Sequence, residues 1–334
     1  MRSRLRPAAY VCGLLGLALL VVLLLRADFG AMLHTLRVAG WRLTWLVPYR
    51  ASYFLLFAIG WGALLRPYNR LPRVGLAYLF WVTTVREAID RLLPVASVGG
   101  GVVGIRLLRW RGLGAVPASV SVILEILLTL AALYAFIAVG LLLLFGSGSA
   151  GARYQHLLLV FLCTLPIPLA TALLLRYGSV FSRARRWLQP LVGERVLAQG
   201  ASALDDELRA AMGRASNMFA SGALQWLAMM SAAFEVWLVL RLCGHPINVG
   251  PALILESMTQ AARQLAFFVP GGLGVQEAGL VLFGQALGIS AELALVVSMA
   301  KRLREVLCGL PALASWQWME ARHLKGRASE RTGA

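Results

Sequence analysis

Four charged residues lie close together in an otherwise apolar stretch of the chain: Arg86, Glu87, Asp90 and Arg91. On a helix, Arg86 faces Asp90 and Glu87 faces Arg91, because residues four positions apart share one face. A single charge at the centre of a membrane helix costs about 2.5–3.5 kcal/mol on insertion scales, so four unpaired charges would cost on the order of 10 kcal/mol. Such groups persist in a membrane when they are paired or face a wet cavity. The pattern predicts two ion pairs that fasten this segment to its neighbours, a polar cavity that admits a headgroup, or both.

A second apolar stretch carries polar residues on one side of a helix, because Glu256, Gln260 and Arg263 follow one another at spacings of four and three. A glycine-rich break follows, and Gln276 and Glu277 then begin a short helix. Glycines in such a break allow close backbone contact or leave amide groups available to a polar ligand. An acid at a helix N-terminus is also stabilised by the helix dipole, so Glu277 has both interpretations. The break comprises Pro270, Gly271, Gly272 and Gly274.

The last long apolar stretch holds a third charged group, namely Lys301, Arg302, Arg304 and Glu305. Lys301 and Glu305 are four residues apart, but one carboxylate does not neutralise three cations. The surplus positive charge therefore predicts an acidic partner elsewhere, for which Glu256 and Glu277 are the natural candidates, or else an anionic or polar ligand.

Single acids also lie in two other apolar stretches, at Glu125 and Glu235. Arg50 and Arg106 are candidate partners for them. Spacing along the chain assigns neither pairing, because these residues belong to different predicted helices.

Residues 74–107 and 248–288 share one pattern: a helix, a proline, a glycine-rich break and a second short helix. In each, a charged residue lies seven positions before the proline. These pairs are Glu87 with Pro94 and Arg263 with Pro270. Helices of about 12 residues are too short to cross a bilayer, which takes about 20. We therefore predict two re-entrant hairpins that enter from opposite sides, the first from the cytoplasm. Pairs of broken helices in corresponding halves of a chain indicate a transporter site at the interface of inverted repeats.

The composition excludes several classes of protein. The chain of 334 residues is 59% hydrophobic and 14% charged, with a mean hydropathy of +0.74. Soluble domains average about 45–50% apolar and about 25% charged residues, so an ordinary soluble enzyme and a disordered protein are both excluded. The net charge of +17 comes from arginines between apolar runs, as in cytoplasmic loops, and does not indicate nucleic-acid binding. The sequence contains no motif for hydrolysis, phosphoryl transfer, redox chemistry, a metal or a cofactor.

The apolar runs predict an all-α polytopic membrane protein, with about six full transmembrane helices and the two hairpins. The arginine-rich loops and both termini then face the cytoplasm. The largest loop spans about 176–214, and a basic tail (321–334) follows a single membrane domain (1–320). The crossings are predicted at about 7–25, 43–65, 116–145, 154–175, 217–241 and 291–318.

Three segments resemble a known family: VREAIDRLLPVASVGGGVVGIRLLRWRG (85–112), PGGLGVQEAGLVLFGQALGIS (270–290) and SMAKRLREVLCGLPAL (298–313). They resemble the flippase-like membrane family related to the transmembrane region of lysylphosphatidylglycerol synthase, and are most similar to its hopanoid-biosynthesis-associated membrane protein L branch. The family implies a lipid-translocating membrane domain, and the branch implies hopanoid transport toward the outer membrane. One departure is Gly101, where many members carry an acid. The resemblance points at Pro94, Gly99, Gly100, Pro270, Gly271, Gly272, Gly274, Glu277, Lys301, Arg302 and Arg304.

We therefore expect a lipid transporter of the bacterial inner membrane that performs no chemical reaction and needs no cofactor. The hairpin tips would meet near the midplane, and the three charged groups would line a polar cleft through which a headgroup passes while the tails stay in lipid. The expected partners are membrane lipids, hopanoid or phospholipid, and proteins of hopanoid synthesis or transport. Two alternatives stay open: a membrane scaffold for lipid-synthesising enzymes, and a lipid-modifying enzyme that uses the same acids for acid–base catalysis.

Overall fold

The apolar runs form helices in the computed structural model, which describes residues 37, 39–68, 74–93, 99–146, 155–180, 194–266, 269 and 272–332, with the backbone alone at 194–200 and 324–332. A 3-10 helix at Gly40–Trp45 leads into the first α-helix. The predicted crossing at 7–25 lies outside the described residues. The α-helices are α1 (Leu46–Leu65), α2 (Leu76–Leu92), α3 (Gly99–Trp110), α4 (Ala115–Gly146), α5 (Gln155–Thr164), α6 (Pro166–Tyr177), α7 (Glu194–Met212), α8 (Ala215–Leu242), α9 (Val249–Leu265), α10 (Val275–Ala286) and α11 (Ala291–Thr332).

Within the described ranges, four helical stretches are long and apolar enough to cross a membrane: Gly40–Leu65, Ala115–Gly146, Gln155–Tyr177 and Ala215–Leu242. They match four of the predicted crossings. The longest has 32 residues and is therefore about 48 Å long, which exceeds a hydrocarbon core of about 30 Å. The all-α polytopic class is confirmed. The predicted crossing at 291–318 lies within α11, which is not among these four stretches and carries Lys301, Arg302, Arg304 and Glu305 near the middle of that range.

Two successive sets of four helices have the same design, α1–α4 and α8–α11. In each set a long helix is followed by a helix of 17 residues, a break, a helix of 12 residues and another long helix. The two predicted broken segments therefore have second helices of equal length, each about 18 Å long and too short to cross a bilayer. Entry from opposite sides of the membrane stays a prediction.

The two sets pack on each other reciprocally. The first helices, α1 and α8, share the longest interface, while α2 packs on α11 and α9 packs on α4. Exchanging the two sets leaves this pattern of neighbours unchanged. This reciprocal pattern of neighbours is the one expected of an internal repeat, as the broken-helix pattern predicts, and the inverted orientation of the two halves stays a prediction.

A glycine lies at each of the two reciprocal crossings. At Gly140 of α4, an added Cβ would lie 1.7 Å from Ser257 Oγ of α9. At Gly309 of α11, an added Cβ would lie 2.5 Å from Leu92 Cδ1 of α2. At Gly140 the Cβ of Ser257 would also lie only 2.6 Å away, so this crossing needs a residue without a side chain. At Gly309 the close atom is the end of the flexible Leu92 side chain, which could move aside.

Two segments at the predicted cytoplasmic side are helical. α7 lies within the predicted loop 176–214 and packs on α4 and α6. α11 continues through Pro311 to Thr332, so residues 321–332 of the predicted tail extend this helix. Proline removes one backbone donor, but it does not end the helix here.

Candidate functional site

The first hairpin consists of α2 and α3, and its four clustered charged side chains all belong to α2. Arg91 Nε donates to Glu87 Oε1 at 3.0 Å, which confirms the predicted pair four residues apart. The predicted pair of Arg86 with Asp90 is wrong, because Arg86 forms an ion pair with Glu125 of α4. Arg86 therefore links the first hairpin to α4 and does not form an ion pair within α2.

Asp90 instead joins the two helices of the hairpin. Its Oδ1 accepts a hydrogen bond of 2.9 Å from the backbone N–H of Gly100, in the first turn of α3, which begins at Gly99. A Cβ at Gly100 would lie 2.5 Å from Asp90 Oδ2, and a Cβ at Gly104 would lie 2.8 Å from Arg86 Cδ. Because α3 lies against α2 through these glycines, Asp90 reaches the α3 backbone and Arg86 turns toward α4.

A chain of ion pairs leads from the first hairpin into the protein core. Arg50 Nη2 of α1 donates to Glu87 Oε1 at 3.1 Å. Arg50 Nη1 lies 3.7 Å from Glu235 Oε2 of α8, and Arg304 Nε of α11 lies 2.7 Å from Glu235 Oε1. Glu235 therefore has Arg50, one of its two predicted candidates, and also Arg304 as partners. Four helices are connected through these side chains.

The chain continues along α11 to the second hairpin. Arg304 Nη2 lies 3.9 Å from Glu305 Oε1, and Arg302 Nη1 donates to Glu305 Oε2 at 3.1 Å. Arg302 Nε donates to Glu277 Oε1 at 3.2 Å, and its Nη2 donates to the carbonyl oxygen of Gly272 at 3.3 Å. Glu277 is thus an acidic partner of the α11 cations, as predicted. The ion pairs form a continuous connection between the two hairpins.

Hydrogen bonds between charged and uncharged side chains join the two helices of the second hairpin, α9 and α10, to each other and to α11. Arg263 Nη1 of α9 donates to Gln276 Oε1 of α10 at 2.6 Å, and Gln276 Nε2 donates to Ser298 Oγ at 3.1 Å. Ser298 Oγ in turn donates to Glu277 Oε1 at 2.8 Å. Gly274, with φ of +74°, immediately precedes α10; this left-handed conformation favours glycine.

Lys301 has a partner outside its own helix. Its Nζ donates to Glu256 Oε2 of α9 at 2.5 Å, and Gln260 Nε2 donates to Glu256 Oε1 at 2.9 Å. Glu256 was the second acid predicted to balance the α11 cations, and this pairing is confirmed. Glu305 pairs with the neighbouring arginines rather than with Lys301.

A polar cavity of about 400 Å³ lies between α1, α2, α4, α8 and α9. Three arginines and three acids line it: Arg50, Arg86, Arg91, Glu87, Asp90 and Glu125. Of these six, Asp90 alone has no ion pair within the described residues. Three buried atoms of its wall, Arg50 Nε, Arg86 Nε and Thr83 Oγ1, have no hydrogen-bond partner in the described part of the chain. The cavity therefore has no net charge and offers hydrogen-bond donors.

An apolar cavity of the same volume, about 400 Å³, adjoins the polar one. It lies between α4, α5, α6, α9 and α10, and its wall includes Leu141, Phe161 and Phe283. Leu130 and Gln264 line both cavities. No residue of α5 is buried, so the helix that covers the apolar cavity also faces the surroundings.

The structure separates the residues predicted to line one cleft. The charges of the first hairpin line the polar cavity, whereas Glu256, Glu277 and Lys301 are buried in pairs and line neither of these two cavities. Arg304 and Glu305 meet Glu87 and Arg91 at a void of about 10 Å³. The predicted meeting of the hairpin tips concerns residues outside the described ones, namely Pro94, Pro270 and Gly271.

Several cavity residues were not selected from the sequence. In the sequence, Arg50 and Glu125 are single charges within apolar runs, and this isolation is the one signal that could have indicated them. Thr83, Thr129 and Gln264 have no distinctive sequence pattern, although all three line the polar cavity. The other unassigned cation, Arg106, forms an ion pair with Glu320 of α11.

A sequence model of the family described as lysylphosphatidylglycerol synthase TM region matches residues 13–311. The chain belongs to this family. Members are lipid-related membrane proteins, and the match covers both hairpins and the charged centre of α11. No curated protein and no solved structure matches the chain. Together with the four apolar helices, the family shows that this is an integral membrane protein of a lipid-related family.

Proposed function

We propose that the protein moves a lipid across the membrane, with the headgroup in the polar cavity and the tails in the apolar cavity. The observation that carries this proposal is that the polar and apolar cavities adjoin and share two lining residues, Leu130 and Gln264. This arrangement matches a lipid, in which a polar headgroup is attached to apolar tails. Each volume of about 400 Å³ lies in the range of small-molecule sites, about 300–1,000 Å³.

The polar cavity supports this function by lowering the cost of taking a headgroup out of water. A polar group without hydrogen bonds costs roughly 4–8 kcal/mol in a hydrocarbon environment. The unpartnered donors of Arg50, Thr83 and Arg86 would replace part of the lost hydration. The exposed α5 at the apolar cavity supports entry of the tails from the surrounding lipid.

The substrate in this proposal is a hopanoid, carried from the bacterial inner membrane toward the outer membrane, with no chemical change to the lipid. The choice of a hopanoid as substrate rests on the resemblance of three segments to the hopanoid-associated branch, namely 85–112, 270–290 and 298–313. Lipid analysis of separated membranes, with and without the gene, tests it in the native host. Depletion of hopanoid from the outer membrane at unchanged total content supports transport. An accumulated precursor would instead favour a synthetic or scaffolding function.

The movement of lipid itself is tested with purified protein in vesicles. A fluorescent lipid is placed in both leaflets, and a membrane-impermeant reagent bleaches the outer one. Vesicles with protein should lose fluorescence beyond the outer-leaflet fraction, because inner lipids reach the reagent. A loss identical to that of protein-free vesicles, for phospholipid and hopanoid probes alike, would contradict the proposal.

A further inference from the structure

We propose that Asp90 binds the proton that drives lipid movement, so that transport is coupled to a proton gradient; this inference rests on the proposed function. Asp90 lines the polar cavity and has no ion pair within the described residues, unlike Glu87 and Glu125 beside it. An acid at membrane depth that faces a polar cavity marks an ion pathway or a proton relay, and the one hydrogen bond of Asp90 in the described residues comes from the uncharged backbone N–H of Gly100. Among the acids of this cavity, Asp90 is therefore the one that gains a proton without breaking an ion pair.

The surroundings of Asp90 set the consequence of protonation. The charged groups that face the cavity are Arg50 from α1, the remaining α2 charges, and Glu125 from α4; α8 and α9 contribute only uncharged residues, such as Met229 and Gln260. Two further helices pack on α2. α3 offers Asp90 the N–H of Gly100, and its Arg106 pairs with Glu320, while α11 brings Arg304 and Glu305 to Glu87 and Arg91. With Asp90 ionised, three cations balance three acids. With Asp90 protonated, the cavity carries one net positive charge. One proton thus changes the electrostatic environment that a headgroup meets.

Protonation also changes the first hairpin. The ionised carboxylate accepts the N–H of Gly100 and joins α2 to α3, and a hydrogen bond to a charged acceptor is roughly twice as strong as a neutral one. Adding a proton to the carboxylate gives a carboxylic acid with an O–H donor and weaker acceptors. The two forms therefore differ in cavity charge and in the contact that holds α3. Lipid and proton binding are coupled when a lipid prefers one form, and this coupling is reciprocal.

The first test measures the distribution of a fluorescent lipid between leaflets under an imposed pH gradient. Coupling of one proton to each lipid shifts the leaflet ratio about tenfold per pH unit, because one unit equals 1.36 kcal/mol. The variant Asp90→Asn keeps an oxygen acceptor for Gly100 but binds no proton, so its ratio should stay at one with the gradient present. Asp206→Asn, a matched change on the exposed face of α7, should retain the shift. A gradient-dependent ratio in Asp90→Asn would overturn the proposal, whereas lipid movement without any gradient effect in the wild type would overturn it and leave the proposed function standing.

The second test does not depend on transport. Infrared difference spectra of the protein, recorded during an acid titration, detect the carbonyl band of a newly protonated carboxylic acid. A band present in the wild type and in Asp206→Asn, but absent in Asp90→Asn, supports the site even if no lipid probe moves. Identical spectra for the wild type and Asp90→Asn would overturn it.

Discussion

Lys301 Nζ lies 2.5 Å from Glu256 Oε2, and both side chains are almost fully buried, at 4% and 1% exposure. The pair joins α11 to α9, the first helix of the second hairpin. Removing one partner of a buried ion pair leaves an uncompensated charge, whereas replacing both partners by uncharged groups is often neutral. We therefore assign this pair to holding the hairpin in place rather than to contact with a lipid.

Glu256→Gln should destabilise the protein by about 3–5 kcal/mol, because Lys301 stays buried without its acid. The double variant Glu256→Gln with Lys301→Met should recover most of this loss. Thermal unfolding in detergent measures both effects. Equal stability of the single variant and the wild type would contradict a structural role for the pair.

Gly140→Ala should destabilise the crossing of α4 and α9 by about 1–3 kcal/mol, the usual cost of overpacking. The added methyl group would overlap Ser257. Gly222→Ala in α8 is the control, since its Cβ would lie at an ordinary 3.5 Å from Leu128. The same unfolding measurement decides the outcome, and Ser257→Gly should rescue Gly140→Ala. Similar unfolding temperatures for the two alanine variants would show that the crossing tolerates a side chain.

Thr83→Val should slow lipid movement about 2- to 10-fold, the equivalent of one lost hydrogen bond of about 0.5–1.5 kcal/mol to the headgroup. The change preserves the shape of a buried side chain whose Oγ1 has no partner in the described residues, so the fold should be retained. Thr171→Val on α6 removes a hydroxyl that donates to the carbonyl oxygen of Ile167 in the same helix and should leave the rate unchanged. Equal rates for both variants in the vesicle assay would exclude Thr83 from the headgroup path.

Ala261→Trp should block the apolar cavity, because the indole ring would occupy space that the lipid tail needs. Movement of long-tailed lipids should fall to the level of protein-free vesicles. Ala170→Trp, on the exposed side of α6, adds the same ring outside the cavity. If Ala261→Trp transports at the wild-type rate, the tail does not use this cavity.

Glu277→Gln should abolish lipid movement without loss of the protein from the membrane. The amide retains an acceptor for Ser298 but loses the ion pair with Arg302, which connects the second hairpin to α11. Glu292→Gln, at the beginning of the same helix α11, is the control. Vesicle assays and membrane content are measured together, and wild-type transport by Glu277→Gln would remove this residue from the mechanism.

Much of the architecture follows from local sequence patterns. Apolar runs long enough to cross a bilayer predict the crossings, and Pro94 and Pro270 with the glycines after them predict the broken helices. The need for a partner of each buried charge also led to Glu256 and Glu277, because a surplus of cations in α11 is visible without a structure. The crossings, the broken helices and the surplus of cations in α11 can each be predicted because each depends on composition and spacing within a single segment.

The positions of the cavities could not be predicted in the same way. Arg86 has an acid four residues away on its own helix, and the closer packing that directs it to Glu125 depends on Gly100 and Gly104 of the next helix. Thr83 and Gln264 become cavity residues only when α2, α4 and α9 are assembled. Side chains that meet only through tertiary packing produce no recognisable spacing pattern in the sequence.

Cross-linking with two photoreactive lipids tests most directly whether a headgroup and a tail occupy the two adjoining cavities. One lipid carries the reactive group on its headgroup and the other on its tail, and the modified residues are identified by mass spectrometry. The account predicts that the headgroup probe labels the polar cavity around Thr83 and Thr129, and that the tail probe labels the apolar cavity around Leu141 and Phe283. Labelling confined to outward-facing residues, such as Leu159 and Leu169, would contradict a lipid site inside the protein.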